Sequence, residues 1–543
     1  MKLPRIRDLT AEQKKVYLYA PTDKHLLVNG PPGTGKTLIA VLRSQELQKR
    51  NVPFVLAMYN QVLACYTASG ASDDSATPAR TVLSWFRDWW SRSGLPPTHA
   101  ARSVLLQTEY RDRAAVRDAG ACWSPGTWQP WGRRKGVWEV DTATYLEDPA
   151  RFARWHAWHN PPELGDGNGY SIDWSAVREH VLTHDTLITD EALSIGSLLV
   201  DEGQDFPVGF YKTMSLLSSL GKARGVAHPL QCFVLADENQ QITEQNSTLD
   251  EIASSLRIAP EHRYTLLDNF RNTREIAELA RSFFADVGVL PRLPSRVGSV
   301  PTLELAARPE TCIEAIRIWL SNHPDKEVGV LVFRNERREA VHRELVRVLG
   351  GMRNRRIVVQ TYSWASRRDH PVGSLVFDHG DVVTVLNLAS CKGLEFDAVF
   401  VIDPGDTRIG PDGPDRFKMQ MFVATSRARE HVAIIDTSTN AAPAFLAYMP
   451  DDSVLARTRS GSDTAVARAA QSGGPASRRQ KEGPASSSWE TRLEALAAEH
   501  SLSVIDKRLN GGALWVDTGP QLSEELEALG FVFSLKKNMW WKS

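Results

Sequence analysis

The residues best equipped for chemistry lie in the stretch GPPGTGKT, where Gly30, Gly35, Lys36 and Thr37 fill the spacing G-x-x-x-x-G-K-[ST]. An apolar run, His25 to Val28, precedes it and the helix-forming Leu38-Ile39-Ala40-Val41-Leu42 follows. That order of strand, loop and helix is what a phosphate-binding loop requires. Through Gly30, Pro31, Pro32, Gly33, Thr34 and Gly35 the glycines let backbone N–H groups turn inward around β- and γ-phosphates, and the helix start adds partial positive charge. Lys36 suits neutralisation of phosphate oxygens, and the Thr37 hydroxyl suits Mg²⁺. A second signature, LLVDEGQDF, ends an apolar strand in two carboxylates. Asp201 fits a magnesium shell, and Glu202 can orient or deprotonate an attacking water. The expected chemistry is phosphoryl transfer from a bound nucleotide with Mg²⁺. The loop leaves the machine open, because AAA+ ATPases, helicases and transporters all carry it.

Four further segments narrow the choice. CFVLADENQQI sets Asp237 and Gln240 just past an apolar strand, where a glutamine amide could touch a γ-phosphate. YTLLDNFRNTREI places Arg271 at a strand-to-helix turn. VVTVLNLASCKGLEFDAVFVID carries Lys392, Gly393 and Glu395 between two apolar strands, and MFVATSRAREHVAII puts Arg427 and Arg429 just ahead of another. Such arginines serve as solvated charges, as structural ion pairs, or as fingers that stabilise phosphoryl-transfer charge.

The elements that must position these groups fit a long α/β chain. With 543 residues and 42% hydrophobic content, the sequence supports three or four domains. No apolar run approaches the roughly 18 residues of a membrane helix, and the start MKLPRIRDLT has no long apolar segment, so a cytoplasmic protein without membrane contact is expected. The five cysteines stand alone, without zinc or iron–sulfur spacing. Net charge is −1, which gives no global basic field for nucleic acid and leaves a local groove open. Ten of the sixteen tryptophans fall between Trp85 and Trp174, marking about 85–185 as a distinct insert. Their rings either stack bases or form the core of that insert. Residues 446–488 read as a flexible linker rich in Ala, Ser, Gly and Arg, and 489–543 as a small α/β module. In that module Lys536-Lys537 beside Trp540-Trp541 makes either a docking patch or a packed hairpin.

In this order the segments resemble the motif series of superfamily 1 helicases of the UvrD/Rep type, over about residues 8–440. GPPGTGKT is similar to motif I, DEGQD to motif II, ADENQQI to motif III, LLDNFRN to motif IV, CKGLEFD to motif V and FVATSRARE to motif VI. LTAEQ, with Gln13, resembles the adenine-reading Q motif, and FVLAMYNQVLA, with Tyr59 and Asn60, resembles motif Ia. The resemblance implies two RecA-like P-loop domains with parallel sheets flanked by helices and ATP between them. The first would comprise residues 1–84 and 186–264 around the Trp-rich 1B-like insert. The second would comprise 265–445, with a minimal 2B-like insert near 342–381. It further implies that Lys36 holds phosphates, that Thr37 and Asp201 hold magnesium, and that Glu202 activates water. Gln240 would sense the γ-phosphate, Arg271 and Arg427 would reach in from the second domain, Glu395 would bind ribose, and Phe270 would stack on the adenine read by Gln13. Tyr59 and Asn60 would contact the strand or merely form a strand-end turn.

Departures from the pattern accompany the matches. Leu38 stands where the family commonly has a base-sandwiching arginine, Thr243-Glu244-Gln245 replaces an aromatic stretch after motif III, and Asn387 and Ala389 replace the Thr and His that open motif V. The resemblance therefore implies an ATP-dependent DNA helicase or translocase on single-stranded or tailed DNA, 3′ to 5′. The departures keep a second reading alive, a DNA-gated regulatory ATPase beside a partner nuclease or other DNA-processing protein.

Overall fold

A computed structural model describes residues 9–460 apart from 60, 63, 66–78, 99–100, 102, 129–134, 165–171, 241–245, 286–287, 307, 352–354, 364–365, 368, 378, 408, 410–413 and 439–442. Beyond these it describes only 493, 503–506, 514–517, 526, 531–534 and 539–542. The chain divides into two compact units, Met1–Thr464 and Ala465–Ser543.

The first unit begins with strands β1 (Leu26–Asn29), β2 (Phe54–Met58) and β3 (Ala79–Thr81). Four short strands follow, β4 (Ser103–Gln107), β5 (Cys122–Trp128), β6 (Lys135–Asp141) and β7 (His156–Trp158), and then β8 (Ser197–Val200), β9 (Gln231–Ala236) and β10 (Arg263–Thr265). Strands β10-β1-β9-β8-β2-β3 form a wholly parallel sheet in that order. The intervening β5-β6-β4-β7 form a separate antiparallel one. The remaining strands of the unit, β11 (Thr302–Ala306), β12 (Glu327–Val332), β13 (Val358–Tyr362), β14 (Val382–Asn387), β15 (Phe396–Ile402), β16 (Ala428–Asp436) and β17 (Ala456–Ser460), make a second parallel sheet ordered β13-β14-β12-β15-β16-β11-β17. The fold is mixed α/β with two parallel sheets flanked by helices, consistent with RecA-like domains.

Both sheets are parallel because their strands can be buried on both faces, and their apolar runs are continuous rather than alternating. Every residue of Ser197–Val200 and of Glu327–Val332 is buried. The period-two geometry then assigns each strand to two cores. Leu26 and Val28 join Leu56, Leu199 and Phe233 in a cluster continuous with Leu331, Phe396 and Val399 of the second sheet and Met421 of the helix Asp415–Thr425. Leu27, Leu198 and Val200 face the other way, onto Phe210 and Met214 of the helix Val208–Arg224. The far face of the second sheet, with Val328, Val330 and Val332, packs on Ile316, Trp319 and Leu345 from helices Glu310–Asn322 and Asn335–Leu349.

Three boundaries differ from those expected. The tryptophan-rich stretch is not one unit: Trp85, Trp89 and Trp90 recur at helical spacing on Val82–Arg92, and with Trp174 they bury in the core of the first parallel sheet. Only the segment around β4–β7 stands apart, its small core holding Trp138 and Trp155. Packing therefore accounts for most of these rings, while Trp123 is half exposed and meets Trp138 edge-on. The linker cannot begin at 446. Phe445, Met449 and Leu455 are buried, and β17 pairs with β11 as the edge strand of the second sheet. Ala, Ser and Arg composition hid that strand, because pairing with β11 and not local propensity holds it. Residues 342–381 form no separate domain among the described residues, since they hold the end of a helix and the edge strand β13.

Among the described residues of the second unit, β18 (Ser503–Asp506), β19 (Leu514–Asp517), β20 (Val532–Ser534) and β21 (Met539–Lys542) form an antiparallel sheet ordered β18-β19-β21-β20. The register pairs Trp515 with Trp541 and Val516 with Trp540. Lys536 and Lys537 lie outside the described residues. Among the described residues no helix is long and apolar enough to cross a membrane.

Candidate active site between the two parallel sheets

In a parallel sheet all strands end at one edge, and ligands bind beyond their carboxyl ends. Here the pairs Asn29↔Ala236 and Asn29↔Thr265 align the ends of β1, β9 and β10, and β8 ends beside β9. Gly30, Asp201, Asp237 and Leu266 are thereby the first residues off that edge. The loop Gly30–Gly35 is folded by backbone bonds. The Gly30 N–H donates to the Ala236 carbonyl at 3.2 Å, and the Phe270 N–H donates to the Gly33 carbonyl at 2.9 Å. Gly33 and Gly35 adopt φ of 81° and 85°, the left-handed region where only glycine is unstrained. A Cβ on Gly33 would lie 2.4 Å from Asn269 Oδ1.

The 14-residue helix Lys36–Lys49 starts directly from this loop. Its Lys36 Nζ donates to the carbonyls of Gly30 and Pro31, and Thr37 Oγ1 donates to Asp201 Oδ2 at 2.6 Å. Adjacent hydroxyl and carboxylate oxygens are hard donors of the kind magnesium takes, so the pair fits that ion. Glu202 has φ 55°, a left-handed conformation that a glutamate adopts only when its surroundings hold it. Gln204 supplies part of that hold. Its Nε2 donates to Glu202 Oε2 at 2.7 Å, and its Oε1 accepts from the Asp237 N–H at 2.9 Å.

The second sheet meets this edge with its amino ends. Glu395 and Arg427 immediately precede β15 and β16, which begin side by side at Phe396↔Ala428. Arg427, only 1% exposed, donates through Nη2 to Gln240 Oε1 and through Nε to the Val423 carbonyl at 3.1 Å. Gln240 Nε2 in turn donates to Asp237 Oδ2 at 2.6 Å. Arg271 bonds the Ser426 carbonyl at 3.2 Å and Glu395 at 2.5 Å, and Arg429 holds the other oxygen of Glu395 at 3.1 Å. Arg429 is the second residue of β16 rather than ahead of it.

Together these groups line a cleft of about 370 Å³. Its walls contain Gln13, Pro31, Pro32, Gly33, Thr34, Gly35, Lys36, Thr37, Glu202, Gln240, Phe270, Arg271, Glu395 and Arg427, that is, nearly all of the expected set. Gly30 lies just behind the loop, and Asp201 reaches the cleft through Thr37. Gln13 is fixed by a capping box with Thr10 and by its own donation to the Thr34 carbonyl at 3.0 Å. Phe270 stands 56% exposed at the rim, as a ring offered for stacking would. Leu38 also lines the wall, where the helicase pattern has arginine. Tyr59 is elsewhere, its ring 6.0 Å from Phe206 in an edge contact, and Asn60 is outside the described residues.

Burial and neighbouring charge separate the two acids. Burial first, then the adjacent Glu202, pushes Asp201 up to about 6. Burial would also raise Glu202, but Lys392, Lys36 and Arg427 outweigh it and hold the carboxyl below its ordinary range. Glu395 is likewise held down, to about 2, by Arg271 and Arg429 against the pull of burial.

The sequence offers Lys392 as a candidate without a role or a partner. Lys392 Nζ, completely buried, lies 2.6 and 2.7 Å from the two oxygens of Asp205 and also donates to the Gln240 carbonyl. Both residues stood within quoted motifs, yet nothing local pairs positions 187 apart.

No family model matches the chain and no curated protein is similar to it. Among solved structures, the C-terminal domain of a possible DNA helicase from Lactobacillus plantarum WCFS1 is similar at 15% identity, covering 35% of this chain and 98% of that one. Its TM-score is 0.25, so the likeness carries no argument here.

Proposed function

We propose that the chain is an ATP-dependent helicase or translocase of the UvrD/Rep type, binding MgATP in the cleft and moving on single-stranded DNA from 3′ to 5′. One observation carries the reading: Lys36, Thr37–Asp201 and Glu202 leave the first parallel sheet on one side of the cleft, while Arg427 crosses from the second to hold Gln240. In this reading Lys36 and the loop N–H groups receive the β- and γ-phosphates. Thr37 and Asp201 would ligate magnesium, which when bound neutralises phosphate charge. Glu202, ionised and braced by Gln204, accepts the proton of the attacking water. Arg271 and Arg427 stabilise charge on the transferring group, and loss of the γ-phosphate frees Gln240 and Arg427 to readjust. Because these contacts span the two sheets, hydrolysis changes how firmly the sheets are joined, which is how a strand would be advanced. Glu395 orients the ribose while paired with its two arginines, and Phe270 covers one face of the base.

A DNA-gated ATPase acting beside a nuclease is favoured by one feature, the edge strand β13 in the place of a second accessory domain. Both readings predict ATP hydrolysis stimulated by single-stranded DNA. Displacement of duplexes bearing 3′ but not 5′ tails supports the first. Stimulated hydrolysis without displacement, with a co-purifying nuclease, supports the second. Hydrolysis indifferent to DNA refutes both.

A further inference from the structure

Lys392 lies outside the cleft wall, yet it touches three first-sheet loops at once. Its ammonium is bonded to both oxygens of Asp205, past β8, and to the backbone carbonyl of Gln240, past β9. It also stands 5.8 Å from the centre of the Tyr59 ring, past β2, within cation–π range. The lysine itself comes from the short segment between β14 and β15 of the second sheet. Its side chain and that of Asp205 are fully buried. Such a pair pays a heavy desolvation cost, and hydrophobic residues in its place are often no less stable, so the pair is weakly explained by stability alone. Its geometry suggests what else it does. Gln240 is gripped at both ends from the second sheet, by Lys392 on its carbonyl and by Arg427 on its amide oxygen. The ammonium thus connects Tyr59 and Asp205 to the backbone that aims the Gln240 side chain.

We propose that Lys392 is a positioning residue that couples the Tyr59 loop to Gln240, so that polynucleotide engaging the Tyr59 side is felt at the γ-phosphate end of the cleft. This deepens the ATPase reading and rests on it. Neither Tyr59 nor Lys392 reaches the cleft, so the coupling affects turnover rather than nucleotide affinity.

The test uses the full chain with Lys392→Met alone, Lys392→Arg, and Lys392→Met combined with Asp205→Asn. The single Met variant leaves a buried carboxylate without its ammonium and is expected to fold poorly. The double variant removes both charges and keeps the core neutral. Two quantities are read, kcat and KM for ATP with and without oligo(dT), and amide hydrogen exchange of residues 57–59 and 238–240. The double variant should melt near the native chain, keep KM within about threefold, lose about tenfold or more in the ratio of kcat with oligo(dT) to kcat without it, which a change in the Glu202 charge alone leaves unmoved, and exchange faster at both segments; Lys392→Arg should recover part of the stimulation. A double variant that melts near native, keeps native stimulation and shows unchanged exchange overturns the proposal. Should the native chain itself hydrolyse no ATP, the functional reading fails, and the exchange measurement alone then decides. Linked deprotection of both segments upholds the coupling, and protection that persists in either one refutes it.

Discussion

Replacing Glu202 by Gln removes one charge and almost no volume. Glu202 is 3% exposed and accepts from Gln204 at 2.7 Å, a bond the amide oxygen of glutamine can also accept. Its left-handed backbone is unaltered by the substitution, so the fold around β8 is retained. What is lost is the proton acceptor. General-base catalysis is worth about 10²–10⁴ in rate, or about 2.7–5.5 kcal/mol of barrier. Nucleotide affinity should move differently. After burial, the Glu202 charge is the largest cause raising Asp201, so its removal lets Asp201 ionise more fully beside Thr37. A more anionic Asp201 attracts magnesium better, and KM for MgATP is expected to stay level or fall. Steady-state hydrolysis across MgATP concentrations, with saturating oligo(dT), separates the two parameters, and binding of a fluorescent nucleotide checks the second. A kcat within about threefold of native would show that Glu202 is not the base. Equal losses in kcat and affinity would instead mean a collapsed site, and the reasoning from isosteric geometry would be wrong.

Other consequences are directly measurable. Gly33→Ala places a methyl against Asn269 Oδ1, whose partners are the N–H groups of Arg271 and Asn272; we expect at least a tenfold rise in KM for ATP, and an unaltered KM would contradict the packing. His159 is buried, accepts from Trp90 Nε1 at 3.1 Å through Nδ1, and is lowered to about 4, chiefly by burial. Folded His159 thus stays neutral where the unfolded chain takes up a proton, so its contribution is complete above its ordinary value of 6.5 and is lost as pH falls from there towards 4. At about pH 5 the loss is about 2 kcal/mol, and the thermal midpoint should drop on acidification less steeply in His159→Gln than in the native chain. A chain ending after Thr464 should melt like the intact first unit. One ending after Phe445 lacks β17 and the buried Met449 and Leu455, and should lose about 3–6 kcal/mol; equal midpoints would restore a linker at 446.

Much was legible because some residues are constrained by their immediate neighbours. Glycines at the Gly33 and Gly35 turns, a Lys-Thr pair opening a helix and Asp-Glu closing an apolar strand are local arrangements, so the sequence located both the loop and its acids. The apolar runs of β8, β9 and β15 likewise announced strands. What only tertiary structure decided is long-range. Whether Trp89 belonged to an insert or to the first-sheet core depended on which helix face met Phe210 and Ala192. Whether 456–460 was linker or strand depended on the free edge of β11. Arg427 found Gln240, and Lys392 found Asp205, across 187 residues, through the apposition of one sheet's carboxyl edge with the amino ends of the other. Local sequence fixes propensity and the available functional groups, but a buried charge acquires its partner only when the chain closes, because desolvation is tolerated solely where the opposite charge is already in place.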